Sequence, residues 1–203
     1  MPLLPGHGTC WQDLNSVSAE DLRGAVRAHV DRARAEHRHV VVAGLSMGGA
    51  LALDAAAHRP VAGVAVVNPA LSFGQPFAHA APLLRWVVAS TAPVADDVAA
   101  PVSEHAYERT PVGGVAALGR IQRAAVRGLP RITADVVSYW SPQDHVVPPS
   151  SQDRLRAGLR ASAFEQVRLE RSYHVATLDH DLPLIVEHSA AFVDSVCRKA
   201  ARR

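Results

Sequence analysis

A serine between glycines is the residue of this sequence whose surroundings best suit chemistry. Ser46 stands within Gly44-Leu45-Ser46-Met47-Gly48, at the end of a β-branched run and before a run of small apolar residues. A serine between a strand and a helix lies on a sharp turn that raises its hydroxyl above the sheet, and the flanking glycines let strand and helix approach closely. The pattern predicts a nucleophilic serine, with the Met47 N–H directed at a developing oxyanion.

Two later residues suit the partners that such a serine needs. A serine hydroxyl is a poor nucleophile at neutral pH, so it requires a histidine base and a carboxylate that orients the base. Asp144 follows the predicted strand 134–139, and His174 follows the predicted strand 164–169. Both loops lie at carboxyl ends of strands, where sites of α/β proteins form. The order serine, acid, histidine predicts a triad of Ser46, Asp144 and His174.

Both partners also have simpler explanations. Asp144 could form a turn or cap the following helix, and His174 is one of eleven histidines. His145 and the run Asp179-His180-Asp181 compete for the same roles. Because that run directly precedes the last predicted helix, its residues are expected to cap the helix. None of these groups has the spacing of a known metal site.

The elements that must position the triad alternate along the chain. The predicted strands are 39–44, 61–67, 134–139 and 164–169, and the predicted helices begin near residues 18, 48, 150 and 183. The first eight residues are predicted as the end of a strand that enters a turn. Nearly continuous apolar strands that alternate with helices predict an α/β fold, in which a parallel sheet is covered on both faces.

The stretch from about residue 70 to 130 departs from this alternation. It is rich in proline and shows helical periodicity over 82–88 and 114–126. We predict a helical cap inserted into one domain that spans residues 1–203. Its apolar side chains either line a pocket for an acyl or alkyl chain or form the core of the cap itself. These side chains are Phe73, Phe77, Leu83, Leu84, Trp86, Val87 and Val88.

Composition narrows the class of protein. A chain of 203 residues that is 48% hydrophobic, with a formal net charge of +2, suits one domain with a sizeable core and no special attraction to nucleic acid. No apolar run approaches the roughly 20 residues of a membrane helix, so stable membrane insertion is not expected. The two cysteines, Cys10 and Cys197, suit a reducing compartment, and we expect a cytoplasmic location.

Motifs spread over nearly the whole chain resemble those of the bacterial carboxylesterase and monoacylglycerol-lipase-like branch of the α/β-hydrolases. The motifs are Leu4-Pro5-Gly6-His7-Gly8-Thr9, Gly44-Leu45-Ser46-Met47-Gly48-Gly49, Pro130-Arg131-Ile132-Thr133, Val146-Val147-Pro148 and Ser172-Tyr173-His174-Val175. The resemblance implies the α/β-hydrolase fold and hydrolysis of short-chain esters or monoacylglycerols through an acyl-enzyme. It implies a small-molecule ester as the partner, and no metal or organic cofactor.

One part of the family pattern precedes the first of these motifs. Other members have a strand and a His-Gly-Phe-like loop there, and the loop donates a second oxyanion N–H. In this sequence Met1 stands just before the motif, so we expect that strand and loop to be missing. The strand 39–43 would then have an unpaired apolar edge. With Met47 as the only donor to the oxyanion, the catalytic rate would be lower by about 10²–10³-fold. Either the true start lies upstream or the chain is a degraded copy.

Three functions follow from the residues and the resemblance. The first is a serine hydrolase that cleaves carboxylic esters. The second is a catalytically impaired or inert homologue that binds a small molecule at most. The third is an acyltransferase, which would use the same triad and differ only in the acceptor that reaches the acyl group.

Overall fold

A central sheet organises the computed structural model, which describes residues 2–160 and 163–202 apart from the side chains of Pro76 and Phe77. The strands are β1 (Val41–Leu45), β2 (Gly63–Val67), β3 (Ser90–Thr91), β4 (Thr110–Pro111), β5 (Asp135–Trp140) and β6 (Phe164–Arg168). Four of them form a parallel sheet in the order β1-β2-β5-β6. The four strands expected from the sequence and their parallel arrangement are confirmed.

Seven helices accompany the strands in the described part of the chain. They are α1 (Trp11–Ser16), α2 (Ala19–Glu36), α3 (Met47–Ala56), α4 (Pro76–Leu84), α5 (Val112–Gly128), α6 (Ser150–Gly158) and α7 (Leu182–Ala201). Alternate residues of β2 point to opposite faces of the sheet. Val64 and Val66 join a cluster with residues of α2, α3, α5 and α6, whereas Ala65 and Val67 join a cluster with Ile185 of α7. Helices therefore cover both faces, as predicted.

Helix α2 shows how the sequence sets a local structure and its packing. Ser18 and Asp21 form a capping box, in which the Ser18 hydroxyl accepts from the Asp21 N–H at 3.1 Å and the Asp21 carboxylate accepts from the Ser18 N–H at 2.9 Å. The buried Leu22 and Val30 lie eight residues apart on the inner face of the helix. The predicted helix start at residue 18 is confirmed.

A buried carboxylate fastens α2 to α3. Asp54 of α3 is 1% exposed and accepts hydrogen bonds from Arg23 and Arg27 of α2 at 2.8–3.2 Å. Burial raises the pKa of Asp54, but the hydrogen bonds from the two guanidinium groups outweigh it, so the pKa lies below its ordinary value of 3.8. The carboxylate is therefore charged and paired at neutral pH.

The segment predicted as a cap, about residues 70–130, comprises α4, the antiparallel pair β3–β4 and α5. Helix α5 packs against α3, because Ala117, Ile121 and Ala125 belong to the same core cluster as residues of α3. The residues before α5 contribute little to that cluster. We propose that the cap comprises residues 73–111, which we term the cap segment.

The structure departs from the sequence interpretation near its start. Residues 2–4 form no strand, although the first eight residues were expected to contain a strand end. Helix α1 was not predicted, because none of its residues is buried and it shows no apolar periodicity. Among the described residues β1 pairs only with β2, so it lies at an edge of the sheet. None of the described helices combines the length and the apolar character that a membrane span requires.

Candidate active site

Ser46 lies between the last residue of β1 and the first residue of α3. Its φ of 53° and ψ of −119° fall outside the regions that a non-glycine residue ordinarily occupies. The strained turn is held by a hydrogen bond of 2.9 Å from the Ser46 N–H to the Val67 carbonyl, and by one of 3.0 Å from the Ala70 N–H to the Ser46 carbonyl. The side chain is neither fully buried nor fully exposed.

The two glycines around Ser46 differ in what they allow. A Cβ at Gly44 would overlap the Gly48 carbonyl and approach the Gly49 nitrogen to 2.7 Å. The expectation that Gly44 permits close approach of strand and helix is therefore confirmed. Among the described residues, a Cβ at Gly48 would meet no atom within 4 Å outside the backbone of its own helix. The expectation that Gly48 is needed for the same reason is wrong, because that position faces open space.

Asp144 and His174 lie on the loops that follow β5 and β6, and they are hydrogen bonded. His174 Nδ1 lies 2.8 Å from Asp144 Oδ2, and the two side chains are 8% and 3% exposed. Because a carboxylate can only accept, His174 Nδ1 carries a proton in this hydrogen bond, and in the neutral imidazole Nε2 is then the acceptor. Asp144 Oδ1 accepts from the N–H groups of Val146 and Val147 at 2.8 and 2.7 Å, so the carboxylate is itself fixed.

Ser46 lies at the carboxyl end of the parallel strands, as this pair does, but its hydroxyl is not hydrogen bonded to His174 in the structure. Parallel neighbouring strands place the end of β1 and the ends of β5 and β6 on one side. The described residues include no hydrogen bond from the Ser46 hydroxyl, and His174 Nε2 has no partner among them. Such contacts often tighten only when substrate is bound.

Asn68 is a site residue that the sequence interpretation missed. It follows β2 with a φ of 42° and is 1% exposed. Its amide nitrogen donates to the His174 carbonyl at 2.8 Å and to Ser141 Oγ at 3.0 Å, while its amide oxygen accepts from the Ser141 N–H at 2.9 Å. One side chain therefore connects the loops of the acid and the histidine. An asparagine at the carboxyl end of a predicted strand was the only local signal.

The competing acids and histidine have other contacts. His145 is exposed and pairs with Asp97 of the cap segment at 2.7 Å. Asp179 accepts backbone N–H groups, including that of Tyr173 at 2.9 Å. Asp181 accepts from the N–H of Arg171 and makes no side-chain cap of α7. Capping of α7 by these side chains was therefore wrong, because both carboxylates instead hold the loop around His174.

Most of the described apolar side chains that could form a core within the cap segment are exposed, and the side chain of Phe77 lies outside the described residues. Leu83, Trp86 and Val87 are 79%, 78% and 79% exposed. Phe73 is half-buried and packs edge-on against His79, with ring centroids 5.5 Å apart. Contiguous exposed apolar side chains of this kind are uncommon on a surface without a ligand or partner.

The chain is similar to known proteins over nearly its whole length. The profile of the "Alpha/beta hydrolase family" matches residues 1–194. A thermostable monoacylglycerol lipase of Bacillus sp. (strain H-257) is 35% identical over 198 residues, which is 95% of this chain and 77% of the relative.

Solved structures show the same similarity in three dimensions. One, from work on the metagenome-derived lipolytic enzymes LipS and LipT, superposes with a TM-score of 0.91 at 35% identity and covers 96% of this chain and 80% of that one. A soluble variant of monoglyceride lipase from Saccharomyces cerevisiae superposes with a TM-score of 0.76 at 12% identity, over 95% of this chain and 75% of that one. The second likeness concerns the fold alone.

Proposed function

The chain belongs to the alpha/beta hydrolase family, in its monoacylglycerol-lipase-like branch, and is a lipase-like ester hydrolase; from this premise we propose that it acts through an acyl-enzyme formed on Ser46. His174 is the general base of the proposed reaction, and Asp144 orients its imidazole. The observation that carries the proposal is the 2.8 Å hydrogen bond between His174 and Asp144. It lies at the carboxyl ends of the strands, where Ser46 occupies a strained turn.

The proposed acylation begins when Ser46 Oγ attacks the ester carbonyl carbon and His174 Nε2 takes the hydroxyl proton. The carbonyl oxygen becomes an oxyanion, to which the Met47 N–H donates. Met47 is the first residue of α3, and the first N–H groups of a helix have no partner within it. When the intermediate collapses, the bond to the alcohol oxygen breaks and His174 returns the proton to the leaving alcohol.

Deacylation repeats these transfers with water. His174 Nε2 takes a proton from a water molecule, whose oxygen attacks the acyl carbon. The bond between the acyl carbon and Ser46 Oγ then breaks, the free acid leaves, and His174 returns the proton to Ser46 Oγ. Asp144 supports both steps by keeping the proton on Nδ1 and by stabilising the imidazolium. The N–H groups of Val146 and Val147 both donate to Asp144 Oδ1, which leaves Oδ2 directed at His174.

We propose short-chain esters or monoacylglycerols as substrates, with an apolar acyl or alkyl part. The name of the Bacillus relative at 35% identity supports this choice. The exposed Leu83, Trp86 and Val87 of the cap segment support it as well, because they provide apolar surface outside the core. A cytoplasmic location is proposed from Cys10 and Cys197, which are both free thiols.

Replacement of Ser46 tests the proposal directly. In S46A, turnover of a soluble short-chain aryl ester should fall to the background rate, whereas S195A, at an exposed serine of α7, should turn over the ester like the native chain. Unchanged turnover in S46A would refute the assignment. An inert homologue would show no turnover in the native chain. An acyltransferase would give the ester of an added alcohol in place of the free acid.

A further inference from the structure

His174 is held at three polar atoms by three different parts of the chain. Its ring Nδ1 contacts Asp144, its carbonyl accepts from Asn68 at 2.8 Å, and its N–H donates to Asp97 Oδ2 at 3.1 Å. Asp144 and Asn68 follow strands of the central sheet, but Asp97 lies in the cap segment. The backbone position of His174 therefore depends on a residue 77 positions away.

Asp97 also contacts the loop that carries the acid. The same Oδ2 accepts from the N–H of His145, the residue that follows Asp144, at 3.0 Å. Oδ1 accepts from His145 Nδ1 at 2.7 Å. The Asp97 carbonyl accepts from the Val175 N–H at 3.1 Å. The Asp97 side chain is only 15% exposed, so one carboxylate oxygen bridges the main chains of the two loops away from bulk solvent.

A second carboxylate, which lies outside the cap segment, accepts hydrogen bonds from N–H groups of the cap segment. Asp179, beyond the histidine loop, accepts from the N–H groups of Ala99 and Ala100 in the cap segment at 2.8 and 3.0 Å. It also accepts from the Tyr173 N–H at 2.9 Å. Burial raises the pKa of Asp179, but its backbone hydrogen bonds outweigh this and lower the pKa below its ordinary value. Residues 97–100 therefore both accept hydrogen bonds from the histidine loop, through Asp97, and donate hydrogen bonds to Asp179 beyond that loop.

We propose that Asp97 is a positioning residue, whose carboxylate aligns the main chains of His174 and His145 so that Asp144 can orient the imidazole. This inference rests on the role of His174 under the proposed function. A misplacement of about 1 Å at a reacting group can cost about 10²-fold in rate. The cap segment and the proposed base therefore act as one unit.

Variants of Asp97 separate geometry from charge. In D97N the amide oxygen can still accept both N–H groups, so kcat for a soluble aryl ester should stay within about threefold of native. D97E keeps the charge but displaces the carboxylate by one methylene, and D97A removes it. In both, kcat should fall about 10- to 100-fold while KM changes little.

The neighbouring Asp96 provides the matched control. Within the described part of the chain its carboxylate accepts only from Ser103 Oγ and the Glu104 N–H, at 3.0 and 2.9 Å, both inside the cap segment. D96G removes this carboxylate and suits the φ of 55° at this position, so it should keep the native kcat. Melting temperatures identify any variant that fails to fold, and D97E carries the test if D97A does not fold.

Several results would overturn the inference. They are a native kcat in D97E and D97A, an equal loss in D96G, a loss in D97N as large as that in D97A, or a rise in KM at constant kcat. The proposed function is tested separately on the same substrate. If S46A is inactive while D97E and D97A are fully active, only the role of Asp97 fails. If S46A keeps its turnover, the proposed function fails and this inference fails with it.

Discussion

At the scale of single residues, the site is a set of side chains that fix one another's orientation. Asp144 holds the His174 ring, and its other oxygen is held by two backbone N–H groups. Asn68 and Asp97 hold the carbonyl and the N–H of His174. The proposed base therefore enters the reaction already oriented, which lowers the entropy that must be lost in the transition state.

Replacement of Asp144 should reveal how much of the rate depends on the orientation of the imidazole. In D144N the amide can donate to the ring nitrogen and favour the wrong tautomer, so kcat should fall by about 10⁴-fold with little change in KM. The steady-state kinetics of a soluble aryl ester measure this. D153N, at an exposed carboxylate of α6, is the control. A loss of less than tenfold in D144N would contradict the assigned role.

The residues of this site were only partly predictable. The strands before Ser46 and Asp144 are visible as apolar runs, whereas the strand before His174 mixes apolar and polar residues. The order of the three residues along the chain is informative. Asn68 and Asp97 have no comparable local pattern, since their contacts to His174 span 106 and 77 positions. Such contacts become visible only when the loops have been placed in space.

At the scale of elements, the close approach of β1 and α3 creates the turn at Ser46. That approach depends on Gly44, where a side chain would overlap the Gly48 carbonyl. The strands and long helices were predictable because each has a continuous or periodic apolar face. Helix α1 and the pair β3–β4 were not, because no residue of α1 is fully buried and each of those strands has two residues.

The two glycines beside Ser46 make a matched pair for mutation. G44A must displace the backbone of α3, so we expect a melting temperature lowered by several degrees and loss of ester turnover. G48A places its methyl group in open space and replaces glycine within a helix, so it should fold at least as stably as the native chain. Thermal unfolding measures both. Equal melting temperatures for G44A and G48A would contradict the packing described at this turn.

The ion pairs between α2 and α3 should contribute measurably to stability. D54N removes a buried charge that pairs with Arg23 and Arg27, and the free energy of unfolding at pH 7 should fall by about 3 kcal/mol. D31N, whose carboxylate pairs with Arg59 at 42% exposure, should change it little. Urea unfolding provides the comparison.

The pH dependence of that difference follows from the lowered pKa of Asp54. The stabilisation by a carboxylate with a lowered folded-state pKa is fully present above its unfolded-state pKa, near 3.8. It is lost as the pH falls through the folded-state value. The gap between native and D54N should therefore be constant from about pH 5 to 7 and shrink below about pH 4. If the difference in free energy of unfolding between the native chain and D54N grew on acidification, it would contradict a lowered pKa of Asp54.

At the scale of the whole molecule, the strand that leads to Ser46 is also the edge strand of the described sheet. In the described residues β1 pairs with β2 alone, and Ala43 of β1 is exposed. A groove of about 430 Å³ runs along this edge and is lined mainly by apolar residues, among them Val26, Val41 and Val42. An unpaired apolar edge is a template for association with another strand.

A charge on this edge should lower self-association. A43K places a lysine on the exposed side of β1, where it opposes edge-to-edge pairing at little cost in packing. We expect less light scattering at high protein concentration than for the native chain, with a similar melting temperature. A lysine at Ala35, an exposed position of α2, is the control. Equal scattering for native, A43K and A35K would show that this edge does not govern association.

The most direct measurement of the central claim is covalent labelling with a fluorophosphonate, followed by mass spectrometry of the peptides. The serine must be nucleophilic and its base in place for the phosphorus to be attacked. We predict one label per chain, located on Ser46, and a labelling rate that collapses in S46A and H174A. A label on another residue, or native-like labelling in H174A, would contradict the assignment of Ser46 and His174.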